Sequence, residues 1–416
     1  MSINERVDRR TALHDIITVG LAFGTGAILE VRASANDVLN RPTPPDNSSP
    51  LISIILDGGI SPRESFDAKE FPLSGHDSGI KTYAPDTGSN LVFSRLFPEM
   101  RSISTKLAVF RCVSSLGDLL FHAQDSTQLL LDDEGINMHD RIALHTRESG
   151  HPYYYVPHPH EDIGIKTNEQ GAGLRAENDK FHTISRALAY GSESDSGEQI
   201  LVGDQRLVDR EALLESHGND RIHGDAVSDF MSKRRFAYGM ALRNIDLIMT
   251  EPNQRVKSQY GKYGLPLHYA GQLIKNGARS VAVRIGSWDF HFGLVQSMYE
   301  NAPRLDKAIT ALIGNIESGE IPPCLVSCAS EFGRSPSFGN NSSPGRDHFP
   351  ISTCWLYGGY SIPGVYGETD SFSRPASEEY VIRSSGWKNV VFAAAGYPEL
   401  VPDNARIPKG VLKSSS

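Results

Sequence analysis

The sequence predicts an α/β fold, a three-layer sandwich with a largely parallel central sheet and a mostly helical or irregular cap insertion. Three observations carry this prediction. Five short runs are continuously apolar, as strands covered on both faces are. Helical patterns alternate with these runs toward the C-terminal end, which points to parallel strands joined by crossovers. The middle of the chain, about 130–262, is polar and lacks convincing strands, so it reads as an insertion capping the active edge of the sheet.

Taken in order, the chain opens with Arg9-Arg10 ahead of IITVGLAFGTGAIL, residues 16–29, a length that suits the core of a signal peptide and is too short to span a bilayer. Ala33-Ser34-Ala35 then offers a small-residue cleavage site. Residues 1–35 are therefore expected to be a twin-arginine-type export signal, with Ala12 where a bulky apolar residue is usual and Asp15 at the edge of the apolar stretch. The alternative is a frayed, weakly apolar N-terminal helix. Residues 36–50, NDVLNRPTPPDNSSP, read as a linker. The folded body is then a single domain, 51–416.

Within that body the strands are expected at LISIIL (51–56), KLAVFRCV (106–113), SVAVRI (280–285), CLVSCA (324–329) and TCWLY (353–357). Helices are expected at 204–217, 225–250, 265–277 and 304–319, the last two ending at Gly277 and Gly319 as C-terminal stops. No internal repeat is visible.

With 416 residues, 39% hydrophobic and 22% charged, the chain can bury a substantial core. A net charge of −9, with Lys and Arg scattered, gives no basic field for nucleic acid. No segment beyond the signal looks transmembrane, so no stable membrane span is expected after signal removal. The four cysteines lack zinc-finger spacing. On one strand, Cys324 and Cys328 would lie about 13 Å apart, too far for a disulfide. Buried free thiols are expected, with a bridge to Cys354 left open for an oxidising compartment.

Four polar clusters follow closely behind apolar runs or stand just before one: Asp57-Gly58-Gly59, Trp288-Asp289-Phe290-His291, Glu331-Phe332-Gly333-Arg334 and Gly345-Arg346-Asp347-His348. Strand ends that deliver carboxylates and imidazoles are how an α/β sheet builds a metal or catalytic site. That many acids converge only if cations offset their repulsion. Asp57 is a natural first ligand, although Asp-Gly-Gly is also an ordinary turn. Asp289 and His291, two positions apart, share a face if the segment is extended and form a metal donor pair. The other reading makes Trp288 and Phe290 core anchors with Asp289 and His291 turned to water.

Glu331 suits a metal and Arg334 a substrate oxygen; alternatively the two form a surface ion pair. His348 is a candidate ligand, Asp347 a ligand or the group orienting an imidazole, and Arg346 an anion contact. A further cluster, His151, His158 and His160 with Glu161 and Asp162, lacks a strand platform and reads as a substrate-contacting or structural loop.

The motifs S-F-D-A-K at 65–69, W-D-F-H at 288–291, S-E-F-G-R-S-P at 330–336, G-R-D-H-F-P at 345–350, and Y-G-G-Y with G-V-Y-G-E-T-D within 357–370 resemble the bacterial DUF1501 family. More distantly, the chain resembles the alkaline phosphatase and sulfatase superfamily. That resemblance implies an alkaline phosphatase-like fold and an exported, periplasmic metal-dependent hydrolase of phosphate or sulfate esters, acting on a small anionic ester. It implies two divalent ions, with Zn, Mn, Mg and Ca not distinguished. Asp57, Asp289, His291, Glu331 and His348 would be ligands, and Arg334 or Arg346 would hold non-bridging oxygens. The nucleophile is expected between Ser114-Ser115 and Thr127, with Ser115 and His122 as candidates for catalytic roles and Ser65 as an alternative. Cys112 lies inside a strand and is not the nucleophile. The competing reading is a noncatalytic exported ligand- or metal-binding protein on the same fold.

Overall fold

The computed structural model describes residues 48–69, 75–84, 91–115, 129, 138–145, 153–156, 252–286, 288–339 and 343–413. The chain falls into two units, 1–44 and 45–416, and only the second contains described residues. The expected signal, most of the linker, His122 and the His158/His160 cluster lie outside them.

One eight-stranded sheet organises the body. It runs β10 (Ile382–Arg383), β2 (Leu107–Ser114), β8 (Ile351–Tyr357), β5 (Leu325–Ser330), β1 (Leu51–Leu56), β4 (Ser280–Ile285) and β3 (Tyr153–Val156), with β9 (Gly364–Tyr366) also pairing with β2. Every pairing is parallel except those of β8, which is antiparallel to β2 and to β5. The remaining strands, β6 (Gly333–Arg334) and β7 (His348–Phe349), form a separate antiparallel pair.

The run LISIIL forms the centre because all six residues are buried. Ile52, Ile54 and Leu56 face a core shared with α3 (Gln254–Lys275) and α4 (Leu294–Glu317), which also takes in Met100 of α1 (Pro98–Ser102). Leu51 and Ile55 face the second core, against α2 (Met138–His145) and α5 (Ser384–Ala395), whose Trp387, Val390 and Val391 are buried. Each such side chain contributes about 1.5–3 kcal/mol on burial. The three-layer reading therefore holds. All four cysteines are free and buried. Cys328 belongs to the first core and Cys354 to the second, and the bridge to Cys354 that was left open is not formed.

The differences from expectation have local causes. Both long helices start well before their predicted first residues, Leu265 and Arg304, because Pro266 and Pro303 sit inside them rather than before them. A proline disturbs only the turn preceding it, and α3 absorbs a break at Gly261, whose φ is 65°. Tyr153–Val156, inside a stretch read as loop, is an edge strand, in keeping with the preference of aromatic and β-branched residues for sheets. Helix α5 was missed because its apolar residues nearly encircle it, which hides the amphipathic period. Ser48–Pro50, the tail of the expected linker, are already tied to the body through Ser49 N–H to Ala395 O at 2.8 Å and Leu325 N–H to Pro50 O at 2.8 Å.

Two histidines lie in these cores. Burial pushes His139 down to about 3 and His268 down to about 4. A folded value below the unfolded value of about 6.5 gives stability that is present above that pH and lost as pH falls, by up to about 1.4 kcal/mol per pH unit for each group. Asp306, raised to about 7 by burial, acts in the opposite sense over the same window, so a comparison of variants isolates the histidine. Thermal melts between pH 6.5 and 4 are expected to show a shallower acid decline in His268→Phe than in the native protein, and parallel curves would contradict this.

Candidate metal centre

The site residues meet because of strand direction. β1, β2, β4 and β5 are mutually parallel in direction, so Asp57, Ser115, the segment after Ile285, and Glu331 all leave the same edge of the sheet. The antiparallel β8 begins at that edge, which brings in residues 345–350 from their own loop. One reversed strand thus adds the last cluster to the other three.

Close backbone approach then locks the loops together. A Cβ on Gly58, whose φ is 103°, would lie 2.5 Å from Asp289 N, and one on Gly345 would lie 2.1 Å from the carbonyl carbon of His291. Only glycine permits these contacts. Asp57 O accepts from Trp288 N–H at 3.1 Å, and Phe290 O accepts from Arg346 N–H at 3.0 Å. Trp288 is fully buried and anchors the segment, leaving the side chains of Asp289 and His291 partly exposed.

Among the described residues, one group offers metal-donor atoms in common: Asp289, His291 and His348, whose donors all lie within 4.8 Å of one another. His291 Nδ1 is 2.7 Å and His348 Nε2 is 3.5 Å from the same oxygen, Asp289 Oδ1. The His291 and His348 rings lie 4.7 Å apart, and Phe332 packs on His348 at 4.1 Å, fixing its plane. Donors of one ion at about 2.0–2.2 Å each are separated by at most ~4.4 Å. One carboxylate and two imidazoles therefore fit a single divalent ion after slight closure. Zinc suits this donor set, and ferrous iron accepts it as well.

The other expected ligands stand outside this group. Asp57 Oδ1 is paired with Arg284 of β4. Glu331 is 1% exposed, and its Oε1 accepts Gly58 N–H at 2.7 Å, stitching β5 to the end of β1. Asp347 is exposed, its backbone bound to Ser335, and it is not in the donor group. Among the described residues, one group of three donors is gathered. Ser115 is buried, with its Oγ donating to Glu331 O at 2.8 Å.

Both arginines expected to grip a substrate are buried and saturated. Arg346 is 1% exposed and lies against Glu64, with Nη2 to Oε1 at 2.8 Å and Nε to Oε2 at 3.3 Å. Its other donors reach Ser335 O, Pro336 O and His76 O, and Phe338 covers its face. All five N–H groups are used, so Arg346 is a structural clamp rather than an anion contact. Arg334, 0% exposed, donates to Gly58 O, Gly59 O (2.8 Å), Arg346 O (2.9 Å) and Asp289 Oδ1 (2.5 Å). Burial lowers its pKa, while Asp289, Glu331 and Asp347 oppose that fall. It contacts the donor group and no open surface.

Sequence reasoning missed Glu64 and Arg284. Glu64 is 282 residues from its partner and carries no local signal. Breaking a buried pair strands the remaining charge and costs about 3–5 kcal/mol. Glu64→Gln is therefore expected to lower denaturant-measured stability by about that much at neutral pH, and a loss below ~1 kcal/mol would show that the pair is not the clamp described.

No curated protein matches the sequence. Among solved structures, the chain is similar to the C-terminal periplasmic domain of EcEptC from Escherichia coli, at 10% identity and a TM-score of 0.35 over 86% of each chain. It is similar to the lipoteichoic acid synthase LtaP from Listeria monocytogenes at 9% and 0.38, covering 90% of this chain and 79% of that one. It is also similar to alkaline phosphatase from the Antarctic bacterium TAB5 at 11% and 0.38, over 85% and 99%. At these identities and TM-scores none of them assigns a residue or a reaction to this chain. The family described as "Protein of unknown function (DUF1501)" matches residues 48–384, and the chain belongs to that family.

Proposed function

We propose that the protein is an exported, metal-dependent hydrolase of phosphate or sulfate esters. The observation that carries the proposal is the convergence of Asp289, His291 and His348 within 4.8 Å at the carboxyl edge of the sheet, where ligand sites of open α/β sheets form. When bound, the ion supplies Lewis-acid polarisation of an ester oxygen. The chain's own residues hold that ion through Asp289, His291 and His348. The buried Arg334 and Arg346 fix the loops on which those three stand. Ser115 serves as nucleophile only by giving up its bond to Glu331 O, and His122, outside the described residues, is the other catalytic candidate from the sequence.

One observation favours the second reading, a noncatalytic ligand- or metal-binding protein. Two of the hydroxyls that the sequence offers are buried and hydrogen-bonded to backbone carbonyls: Ser115 to Glu331 O and Ser65 to Ser61 O.

The test is metal content with ester turnover. Elemental mass spectrometry on the mature protein is expected to find one equivalent of a divalent metal that is lost in Asp289→Ala/His348→Ala. Aryl phosphate or sulfate hydrolysis is expected to fall at least ~100-fold in that variant and on chelation, and to return with added metal. Metal binding without turnover across an ester panel would establish the binding-protein reading, and Ser115→Ala with unchanged turnover would remove Ser115 from the reaction.

Export, with the signal at 1–35, is part of the same proposal. Replacing Arg9-Arg10 by Lys-Lys is expected to leave precursor inside the cell, as read by fractionation, and normal export of that variant would end the twin-arginine reading.

A further inference from the structure

Asp289 Oδ1 is surrounded by nitrogens: Arg334 Nη2 at 2.5 Å, His291 Nδ1 at 2.7 Å and His348 Nε2 at 3.5 Å. Two of these belong to partly exposed side chains, and the third belongs to a guanidinium with no exposed surface. That guanidinium cannot retreat. Its Nε–H is held by Gly59 O at 2.8 Å, one Nη2 hydrogen by Gly58 O, and Nη1 by Arg346 O at 2.9 Å, with His291 Nδ1 a further 3.4 Å from Nη1. The three carbonyls come from the loop after β1 and the loop before β8, and Arg334 itself follows β5. Asp289, on the segment after β4, is the one carboxylate its fork grips among the described residues.

We infer that Arg334 is the positioning residue of the centre: it pins Asp289 Oδ1 at the point where the two imidazoles converge, so the donor group is assembled before an ion arrives. This inference rests on the metal reading of Asp289, His291 and His348. It replaces the role expected of Arg334 from sequence, a grip on substrate oxygens, which a fully buried and hydrogen-bonded guanidinium cannot provide. The arrangement needs a planar fork with five fixed donors, which lysine does not have. Groups that orient metal-binding side chains commonly change affinity by 10–100-fold when altered.

The test is zinc affinity, measured by calorimetry with Zn²⁺ alone on the metal-stripped mature protein and on Arg334→Lys, Arg334→Gln and Asp289→Ala. Arg334→Lys keeps the charge and loses the fork, and its affinity is expected to fall by about 10–100-fold. Arg334→Gln, which removes the charge, is expected to weaken binding too. Tighter binding by Arg334→Gln would mean that Arg334 acts as a repelling charge, and unchanged affinity in a folded Arg334→Lys would mean that it does not position Asp289. Either result overturns the inference.

A measurement on the native protein covers the case in which the variants do not fold. With ¹⁵N-arginine labelling, a pinned guanidinium gives separate Nη1 and Nη2 signals because rotation about Nε–Cζ is blocked, and a single averaged pair for Arg334 would overturn the inference. A native protein that binds no more Zn²⁺ than Asp289→Ala would remove the metal reading itself, whereas native binding with an unaffected Arg334→Lys removes only the role given to Arg334.

Discussion

The architecture at the active edge depends on the burial of Arg334. A guanidinium with no exposed surface costs several kcal/mol in lost hydration unless its donors are matched. Here the match is made by backbone carbonyls of Gly58, Gly59 and Arg346 and by Asp289. These partners come from segments far apart in sequence, so the arginine is satisfied only when all of them are in place. The same interaction explains the glycines: Gly59 packs against Phe332 and Arg334, where a Cβ would lie 2.6 Å from the ring. Arg346, held by Glu64 and three carbonyls, repeats the device one layer away.

The fold was legible wherever one sequence window determines one element. LISIIL and SVAVRI form strands with the expected ends, because a strand buried on both faces writes its whole length as an apolar run. The reversed direction of β8 was not legible. TCWLY reads the same whether its neighbours run parallel or antiparallel, and only the short path from the 345–350 loop sets its direction. The early starts of α3 and α4 were hidden by Pro266 and Pro303, which mark helix boundaries statistically but not in these two cases.

Site residues were legible as a set and less so as roles. The four clusters do gather at one edge, three because the ends of parallel strands share it and the fourth because the antiparallel β8 starts there. Which carboxylate faces a cation of the chain itself depends on partners more than 200 residues away, as with Asp57 and Arg284 or Glu64 and Arg346. No periodicity or spacing reports such a pairing. The Asp289–His291 pair was readable because both residues lie in one short segment, with Trp288 and Phe290 as its buried anchors.

The charge argument can therefore be narrowed. An acid-rich edge needs cations, but arginines supply most of them here: Arg284 for Asp57, Arg346 for Glu64, and Arg334 beside Asp289 and Glu331. Counting carboxylates therefore does not count metal ions. The imidazoles are what the arginines leave unexplained. An imidazole gains little by packing beside another at a half-open surface, yet His291 and His348 stand 4.7 Å apart, each turning a ring nitrogen toward one carboxylate oxygen. Convergence of two imidazole nitrogens on an oxygen already held by a fixed guanidinium is what the proposed ligand set rests on, and it involves three side chains rather than the acidity of the edge as a whole.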